Sequence, residues 1–447
     1  MLGPDTVAEL SADLPAAPAD FRDTELNPLP VDWQLVRLGE VLAHRKEFIT
    51  VRDEDEYKRC RVQVRAQGIV LRDFVRGADL TIKQQQIVRA GDFLVAEIDA
   101  KVGGFGIVPP TLDGAVVSSH YFRFEIDRKR LFEDFLGFAA MTPSFQKQVS
   151  PRGSTNYASV RPKHVMGYLI PLPPLSEQRA IARVLRTVQR AREAAERVVA
   201  ATRQLKQAML RHLFTYGPVP VDQADRVPLK ETEIGPVPEH WEVLPLGNVL
   251  RQTQYGLSVR GQRSGQFPML RMNNLTAGRL DTTDLQFVDL DPATFARYRL
   301  NRGDLLFNRT NSLELVGKTA MFDEDDPFTF ASYLVRVVVD PNSVVPAYLS
   351  FYMNDQRTQA RLKLLASRGV SQSNINATKL RGLVVPVPPL AEQSEIVRVL
   401  DTIDNKFATA ERRCQSLLLL FQSLLHNLMT GQVRVHGLTE LESIGGA

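Results

Sequence analysis

The feature that most constrains the fold of this chain is a stretch that occurs twice. Residues 171–185 read PLPPLSEQRAIARVL, and residues 386–400 read PVPPLAEQSEIVRVL, 215 residues later. That interval is far longer than the repeat of a solenoid protein, which is about 20 to 50 residues. A whole module is therefore predicted to occur twice in the chain.

Other matches follow the same order along the two halves. The segment VDWQLVRLGEVL at 31–42 is similar to EHWEVLPLGNVL at 239–250, and RAGDFLVAEI at 89–98 is similar to NRGDLLFNRT at 301–310. The offset grows from 208 to 212 and then to 215 residues, so a few short loop insertions account for the drift. Matches in this order indicate an internal duplication with pseudo-two-fold symmetry.

Each half has the same predicted plan. Alternating segments such as VVSSHYFRFEI and ASYLVRVVV, separated by Gly and Pro, predict the strands of an α+β (mixed α/β) domain. A proline-rich lead-in follows, and a long helix then begins with Glu177 or Glu392 in its first turn, where the helix dipole favours a carboxylate. The two helices are predicted to end at Gly217 and Gly431.

Apolar positions recur along both helices at spacings of four and three residues, which is the pattern of a coiled coil. The seam of the second helix comprises Ile396, Leu400, Ile403, Phe407, Ala410, Cys414, Leu417, Phe421, Leu424 and Leu428. The seam of the first comprises Ile181, Leu185, Val188, Ala195, Val199, Met209 and Leu213. Each seam is the natural partner of the other, and the chain connectivity makes the pairing antiparallel. Roughly 40 residues at about 1.5 Å each give a rod of about 60 Å.

These patterns predict two similar globular domains separated by two long helices that form an antiparallel coiled coil. The predicted boundaries are a loose tail at 1–26, a first domain at 27–172, a first helix at 173–217, a linker at 218–238, a second domain at 239–387, a second helix at 388–431, and a tail at 432–447 that returns toward the first domain as a short strand.

The composition is that of an ordinary globular protein with a mild basic excess. Of 447 residues, 44% are hydrophobic and 24% are charged, and the formal net charge is +4. Residues 31–170 hold 21 Lys and Arg against 17 Asp and Glu, and residues 240–385 hold 17 against 13. This balance permits nucleic acid as a partner without requiring it.

Cysteine usage and hydropathy bear on the compartment. Cys60 and Cys414 are too few for a disulfide framework and lack the spacing of metal ligands, so a reducing cytoplasm is the expected location. The longest strongly apolar run, 417–421, is too short to cross a bilayer. No membrane partner is expected.

Few patterns in the sequence indicate catalysis. The GKT sequence at 317–319 resembles the end of a phosphate-binding loop, but the motif requires glycine where the chain has Ser312. Asp99 and Lys101 fit the minimal pattern of a nuclease site, which is too short to be specific and does not recur in the second half. The chain is therefore interpreted as a binding protein rather than a catalyst.

Polar loops carry the kinds of side chain that contact base edges and phosphates. RTNSLELVGK at 309–318 offers Arg, Asn, Ser, Glu and Lys, and similar mixtures occur at 150–160 and 367–375, just before each long helix. Turns and helix caps are the alternative explanation for these loops.

Together these motifs resemble the specificity subunits of type I restriction-modification systems. The resemblance is carried by the two PLPPLSEQ-like stretches, the helix ends LRHLFTYG and LLHNLMTGQVRV, the linker ETEIGPVPEHWEV, and the RGD and NSLELVGK segments of the second half. It covers nearly the whole chain after about the first 25 residues. The acidic extension before residue 26 departs from the family pattern.

The resemblance implies that the globular domains are target recognition domains, each reading one half of a bipartite, asymmetric double-stranded DNA sequence. It implies that the helices space the domains and dock two adenine-methylating modification subunits, with restriction motor subunits joining outside. No cofactor is expected in the chain itself, because S-adenosylmethionine, ATP and magnesium would be bound by the partner subunits.

The resemblance also suggests candidate site residues. Those expected to contact DNA are Lys101, Arg152, Ser154, Thr155, Asn156, Tyr157, Arg309, Asn311, Ser312, Glu314, Lys318, Arg368, Ser371, Gln372, Ser373 and Asn374. Those expected to bind partner subunits are Glu177, Gln178, Glu392 and Gln393, at the helix starts. No catalytic residue and no metal ligand is predicted.

Two alternatives remain open from the sequence. The chain could be a scaffold whose coiled coil joins other proteins and whose globular domains bind peptides. It could also be a nuclease that uses Asp99 and Lys101. DNA recognition without catalysis is the favoured hypothesis.

Overall fold

The computed structural model describes residues 20–149, 160–276, 278–368 and 372–435. The chain divides into two compact units. One comprises Met1–Ala195 with Arg413–Ala447, and the other comprises Glu196–Arg412. Each of the two long helices contributes one part to each unit.

The first half of the chain contains the strands β1 Phe21–Arg22, β2 Leu29–Pro30, β3 Gln34–Arg37, β4 Leu42–Arg45, β5 Phe48–Thr50, β6 Glu56–Val62, β7 Ile69–Arg76, β8 Gln84–Ile87, β9 Phe93–Ala96, β10 Phe105–Ile107, β11 Val116–Val117, β12 Tyr121–Ile126 and β13 Leu169–Leu172. Its α-helices are α1 Glu133–Met141, α2 Pro143–Gln146, α3 Pro162–Met166 and the long α4 Leu175–Tyr216.

The second half contains the strands β14 Leu229–Lys230, β15 Val237–Pro238, β16 Glu242–Pro245, β17 Leu250–Tyr255, β18 Phe267–Leu270, β19 Leu275–Thr276, β20 Arg279–Leu280, β21 Gln286–Val288, β22 Leu305–Asn308, β23 Thr310–Asn311, β24 Thr319–Met321, β25 Thr329–Phe330, β26 Leu334–Val339, β27 Ser367–Arg368, β28 Ser373–Asn374 and β29 Val384–Val387. Its α-helices are α5 Pro292–Tyr298, α6 Pro346–Asn354, α7 Gln356–Leu365, α8 Ala377–Arg381 and the long α9 Leu390–Met429.

The first unit contains two larger sheets, and the antiparallel one contributes to its main core. One is antiparallel with the order β4-β12-β9-β10, and the other has the order β7-β6-β11-β8-β5, in which β6 and β11 run parallel. The side chains of Trp33, Phe93, Phe124 and Phe135 are fully buried in this core. Removing such large aromatic surfaces from water is the main stabilising contribution expected for the unit.

The strand order of the second unit repeats that of the first. An antiparallel sheet has the order β17-β26-β22-β24, and a smaller sheet has the order β21-β18-β25, in which β18 and β25 run parallel. Trp241, Phe307 and Tyr348 are fully buried in the core of this unit. The duplicated mixed fold predicted from the sequence is thus confirmed at the level of sheet topology.

The proline-rich lead-ins are extended strands, as predicted. β13 pairs antiparallel with β3, and β29 pairs antiparallel with β16. Proline has a fixed φ and no backbone N–H, so it suits an extended edge strand and delays the helix. The long helices begin immediately afterwards, at Leu175 and Leu390.

Both long helices end where the sequence predicts. α4 is followed by Gly217 at φ +81° and α9 is followed, two residues later, by Gly431 at φ +72°. Glycine tolerates this left-handed conformation, which lets the chain leave the helix.

The predicted seams are largely buried. Fully buried positions are Ile181, Leu185, Ala195, Leu213, Ile396, Leu400, Ile403, Leu417, Phe421 and Leu428, and half-buried positions are Val188, Val199, Met209, Phe407, Ala410, Cys414 and Leu424. A seam of this kind needs a facing helix to cover it.

In the first unit the two helix segments run antiparallel. The Arg192 guanidinium on α4 lies 5.6 Å from the ring centre of Phe421 on α9. At the other end, Glu177 in the first turn of α4 meets Arg434, which follows the end of α9. Increasing residue number on one helix therefore matches decreasing number on the other.

The helix segments of the second unit are also antiparallel. Lys206 Nζ on α4 lies 2.6 Å from Asp404 Oδ1 on α9. Farther along α4, Leu213 packs in the same apolar cluster as Ile396, which precedes Asp404 on α9. The antiparallel pairing predicted from the sequence therefore holds within each unit.

The predicted tails differ from expectation in detail. Residues 432–435 form no strand, although Arg434 and Val435 are buried in the first unit, so the tail returns there as an irregular segment. Near the N-terminus, β1 lies within the predicted loose tail yet pairs antiparallel with β2. Residues 1–19 and 436–447 lie outside the described part of the chain.

Candidate nucleic-acid interface

A small sheet in the second unit joins two loops that the sequence predicts to face DNA. β23 pairs antiparallel with β28, and β28 pairs antiparallel with β27. Asn374 Nδ2 donates to Thr310 Oγ1 at 2.7 Å, across 64 residues of sequence. The loop at 309–318 and residues 367–368 and 373–374 therefore belong to one surface of the second unit.

The loop after β22 is closed by its own backbone. Asn308 N donates to the carbonyl oxygen of Lys318 at 2.8 Å, and Gly317 N donates to the carbonyl oxygen of Asn308 at 2.8 Å. Gly317 has φ +93°, a conformation that L-residues with side chains rarely adopt. These contacts hold the loop in one shape, with Ser312 and Glu314 exposed.

The other predicted residues of this surface differ in exposure. Gln372 is exposed, whereas Asn311, Lys318 and Asn374 are half-buried. Ser373 is only 5% exposed, so its side chain has almost no surface to offer a nucleic acid and the expectation of a direct contact needs correction. For Arg368 only the backbone of β27 is described, and Ser371 lies outside the described residues.

Arg309 directly precedes β23 and lies against an aromatic ring that was not predicted from the sequence. Its Cζ is 4.7 Å from the ring centre of Tyr255, the last residue of β17. β17 and β22 are the two neighbours of β26 in the sheet, so their ends bring the two side chains together. In the sequence, Tyr255 is an aromatic residue at the end of a predicted strand. That position does not indicate that its ring contacts Arg309.

The candidate residues of the first unit are less completely placed. Lys101 lies in a 3-10 turn at Asp99–Val102 and is exposed. Arg152, Ser154, Thr155, Asn156 and Tyr157 lie outside the described residues. In the described part of the chain, no group of three or more His, Cys, Asp or Glu side chains could hold a metal ion.

The two helix starts carry equivalent carboxylates, and each accepts a hydrogen bond from the tryptophan that begins its domain. Trp33 Nε1 donates to Glu177 at 3.1 Å, and Trp241 Nε1 donates to Glu392 at 2.9 Å. His240 Nε2 also lies 2.7 Å from Glu392. These contacts join the first turn of each helix to the first strands of its domain.

Gln178 and Gln393 have zero exposed fraction. Gln178 accepts from Phe132 N at 2.8 Å and donates to the carbonyl oxygens of Arg130 and Pro173, both at 2.9 Å. Gln393 makes the same set of contacts in the second unit, since it accepts from a backbone N–H and donates to two carbonyl oxygens. Neither side chain has surface for a partner subunit, so the predicted partner contact is corrected: both fix the helix start inside the domain.

A buried ion pair also recurs in the two units. Arg123 Nε donates to Asp92 at 2.5 Å, and Arg336 Nε lies 2.7 Å from Asp304. Burial raises the pKa of Asp92 and of Asp304 above their ordinary value, and the facing guanidinium and a backbone N–H oppose that rise. The aspartate of each Gly-Asp repeat is thus part of the domain framework.

Both halves of the chain match the same known protein family. A family model described as the type I restriction modification DNA specificity domain matches residues 30–198 and again residues 238–418. Together these ranges cover more than half of the chain. The chain belongs to the type I restriction-modification DNA specificity family. Its two matches fall on the two halves of the repeat.

Two curated relatives of this chain are described as specificity subunits of type I restriction enzymes. The chain is 32% identical over 219 residues to the putative type I restriction enzyme MjaX specificity subunit of Methanocaldococcus jannaschii, a match that spans 48% of this chain and 52% of that protein. It is 23% identical over 431 residues to the MjaVIII specificity subunit of the same organism, across 94% of this chain and 97% of that protein. The first match thus spans about half the length of the relative.

Solved structures from type I systems share the fold. The type I restriction-modification S subunit from M. genitalium aligns with a TM-score of 0.59 at 13% identity, covering 89% of this chain and 96% of that one. A chain from a structural study of complex assembly and conformational transition in a type I R-M system aligns with a TM-score of 0.51 at 21% identity, covering 91% and 99%. At these identities the likeness concerns the fold.

Among the residues that the structure describes, no helix is both long enough and apolar enough to cross a bilayer.

Proposed function

We propose that this chain is the DNA-recognition subunit of a type I restriction-modification complex, and that its two domains each read one half of a bipartite double-stranded target. The observation that carries the proposal is the double match to the DNA specificity family, on two units with the same strand order. Two similar DNA-binding domains joined by paired helices suit a target of two short half-sites, separated by base pairs that neither domain contacts.

The half-sites read by the two domains should differ. Among the described residues, the mixed sheet of the first unit includes β5 and β8, which have no counterpart in the three-stranded mixed sheet of the second unit. Contact surfaces that differ in their strands and loops present different hydrogen-bonding groups to the base edges. The proposed target is therefore asymmetric.

Methylation and cleavage belong, in this proposal, to partner subunits. Two adenine-methylating modification subunits would dock on the pseudo-symmetric helices, because an internal two-fold repeat creates two equivalent surfaces. Restriction motor subunits would join outside them. S-adenosylmethionine, ATP and magnesium would be bound by these partners, and the complex would act on DNA in the cytoplasm.

The test is to co-express the full chain with adenine methyltransferase subunits from its own genome and to map methylated adenines in a plasmid library. The expected result is one bipartite, asymmetric motif, with duplex binding that weakens steeply as salt rises. Complexes that form equally well without DNA and show no sequence preference would support a scaffold instead.

A matched variant sharpens this test. Replacing the second domain, residues 239–387, by a second copy of residues 27–172 should convert the asymmetric motif into a symmetric one made of two copies of the first half-site. An unchanged asymmetric motif would contradict the assignment of one half-site to each domain. The chain with its native second domain is the control.

A further inference from the structure

The stacked pair of Tyr255 and Arg309 is fixed on both sides. Arg309 N donates to the carbonyl oxygen of Tyr333 at 3.0 Å, and its own carbonyl oxygen accepts from Ile375 N at 2.9 Å. The Tyr255 hydroxyl accepts from Ala377 N at 3.0 Å. The backbone of Arg309 and the ring of Tyr255 are thus both anchored, and the guanidinium lies over that ring.

The guanidinium has few acceptors inside the protein. A guanidinium carries five N–H donors in a planar fork. Among the described residues, its one hydrogen-bond acceptor is the carbonyl oxygen of Ser332, 3.4 Å from Nη1. The Nε atom of Arg309 is shielded from solvent without an acceptor. Arg309 as a whole is only half-buried, so the terminal N–H donors that lack an acceptor in the protein can bind a ligand at the surface.

The surroundings of the pair suit a nucleic acid. Tyr255, whose ring borders the guanidinium, is 43% exposed, and Tyr333, whose backbone carbonyl accepts from Arg309 N, is 46% exposed. Asn311 and Asn374 lie on the adjoining strands of the small sheet. A planar guanidinium with neighbouring amides and aromatic rings matches the chemistry of base-edge recognition.

We propose that Arg309, held over the ring of Tyr255, binds a guanine in the half-site of the second domain by donating two hydrogen bonds to its O6 and N7 atoms. This inference rests on the proposed DNA-recognition function. Tyr255 is a positioning residue, since it acts through the orientation of Arg309. A guanidinium offers parallel N–H donors in one plane, which matches the two acceptors on the guanine edge.

The second unit supplies a matched control. Arg297 also lies over a tyrosine, with its Cζ 5.6 Å from the ring centre of Tyr298, but it belongs to α5 and not to the small sheet, and it is exposed. Arg297→Lys removes an arginine from an arginine–tyrosine pair without touching the proposed reading surface. It should leave the DNA motif unchanged.

The experiment selects bound duplexes from a randomised library with the full chain in complex with its methyltransferase subunits, and compares wild type with Arg309→Lys, Tyr255→Leu and Arg297→Lys. Arg309→Lys is expected to lower the preference for guanine at one position of one half-site by about tenfold or more. Tyr255→Leu should lower the same preference, and the double variant should lose little beyond Arg309→Lys alone.

A second measurement replaces that guanine with 7-deazaguanine, which lacks the N7 acceptor. Wild type should lose affinity for the modified duplex, whereas Arg309→Lys should discriminate less between the two duplexes. If Arg309→Lys leaves the guanine preference unchanged, while the neutral Arg309→Met weakens binding to all sequences alike and lowers the salt dependence, the arginine contacts a phosphate and the inference is overturned while the proposed function stands. If wild type selects no motif, both fail.

Discussion

Arg434, which follows the last turn of α9, donates from Nε to Glu177 Oε1 at 2.7 Å, across 257 residues of sequence. The two side chains are only 8% and 7% exposed. Arg434 also donates to both carboxylate oxygens of Asp32, at 3.0 and 2.7 Å. The C-terminal segment is thereby tied to the start of the first long helix and to the start of the first domain.

Arg434→Met should destabilise the first unit by about 3 to 5 kcal/mol, because it leaves the buried Glu177 carboxylate without its main cationic partner. Urea denaturation followed by tryptophan fluorescence would measure the loss. The matched control is Arg398→Met, since Arg398 pairs with Glu395 on the helix surface and is 69% exposed. Its removal should change the free energy of unfolding little, and equal losses in the two variants would contradict the assigned role.

The helix-to-helix pair of Lys206 and Asp404 should stabilise the second unit. The atoms lie 2.6 Å apart, and the side chains are 25% and 10% exposed. A double-mutant cycle with Lys206→Met and Asp404→Asn is expected to give a coupling free energy of about 1 to 3 kcal/mol.

The same cycle on Arg203 and Glu411 is the control for that prediction. This pair joins the same two helices, but its atoms are 4.0 Å apart and its side chains are 63% and 51% exposed. The expected coupling is close to zero because solvent screens exposed charges. If the coupling free energy were as large as that of Lys206 and Asp404, burial would not determine how strongly these pairs interact.

Cys60 should resist alkylation in the folded protein. Its side chain is buried, and burial raises the pKa of its thiol from the ordinary 9.0 to about 11. In a Cys414→Ala background, where Cys60 is the remaining thiol, labelling by iodoacetamide at pH 8 should be slow until urea unfolds the first unit. Fast labelling of the folded protein would contradict the burial.

The same shift has a consequence for stability at high pH. Because burial raises the pKa of Cys60 in the folded state, the contribution of its neutral thiol to the free energy of unfolding is fully present below about pH 9. That contribution is lost as the pH rises through about 11. The difference in unfolding free energy between wild type and Cys60→Ala should therefore change by about 2 to 3 kcal/mol between these pH values. A constant difference would show that the thiolate meets no penalty inside the fold.

The paired helices should set the length of the unread spacer in the DNA target. Deleting one heptad from each helix, residues 196–202 and 411–417, preserves the seam spacing and shortens each helix by about 10 Å. The methylated motif should then lose about three base pairs of spacer, at about 3.4 Å per pair. Inserting seven residues after Gly235 in the linker is the control and should leave the spacer unchanged; a deletion variant with the original spacer would count against the hypothesis.

The candidate site was only partly predictable from sequence. The loop at 309–318 was recognised by its side-chain types, but Tyr255 was missed because β26 separates the two strands that bring it to Arg309. Gln178 and Gln393 were expected on a partner surface because they mark both helix starts, yet burial makes them internal. The exposure of a side chain depends on which other elements pack against it. The residues next to it in the sequence do not specify those elements.

By itself, the sequence determined the duplication, the mixed fold of each half, the two long helices and the glycines that end them. These features depend on local backbone preference and on hydrophobic periodicity, and both act over a few neighbouring residues. Tertiary structure alone decided that Arg434 meets Glu177, that Thr310 meets Asn374, and that the guanidinium of Arg309 lies over the ring of Tyr255. Those contacts join residues far apart in the chain, and sheet order and helix pairing bring them within hydrogen-bond or ring-stacking distance.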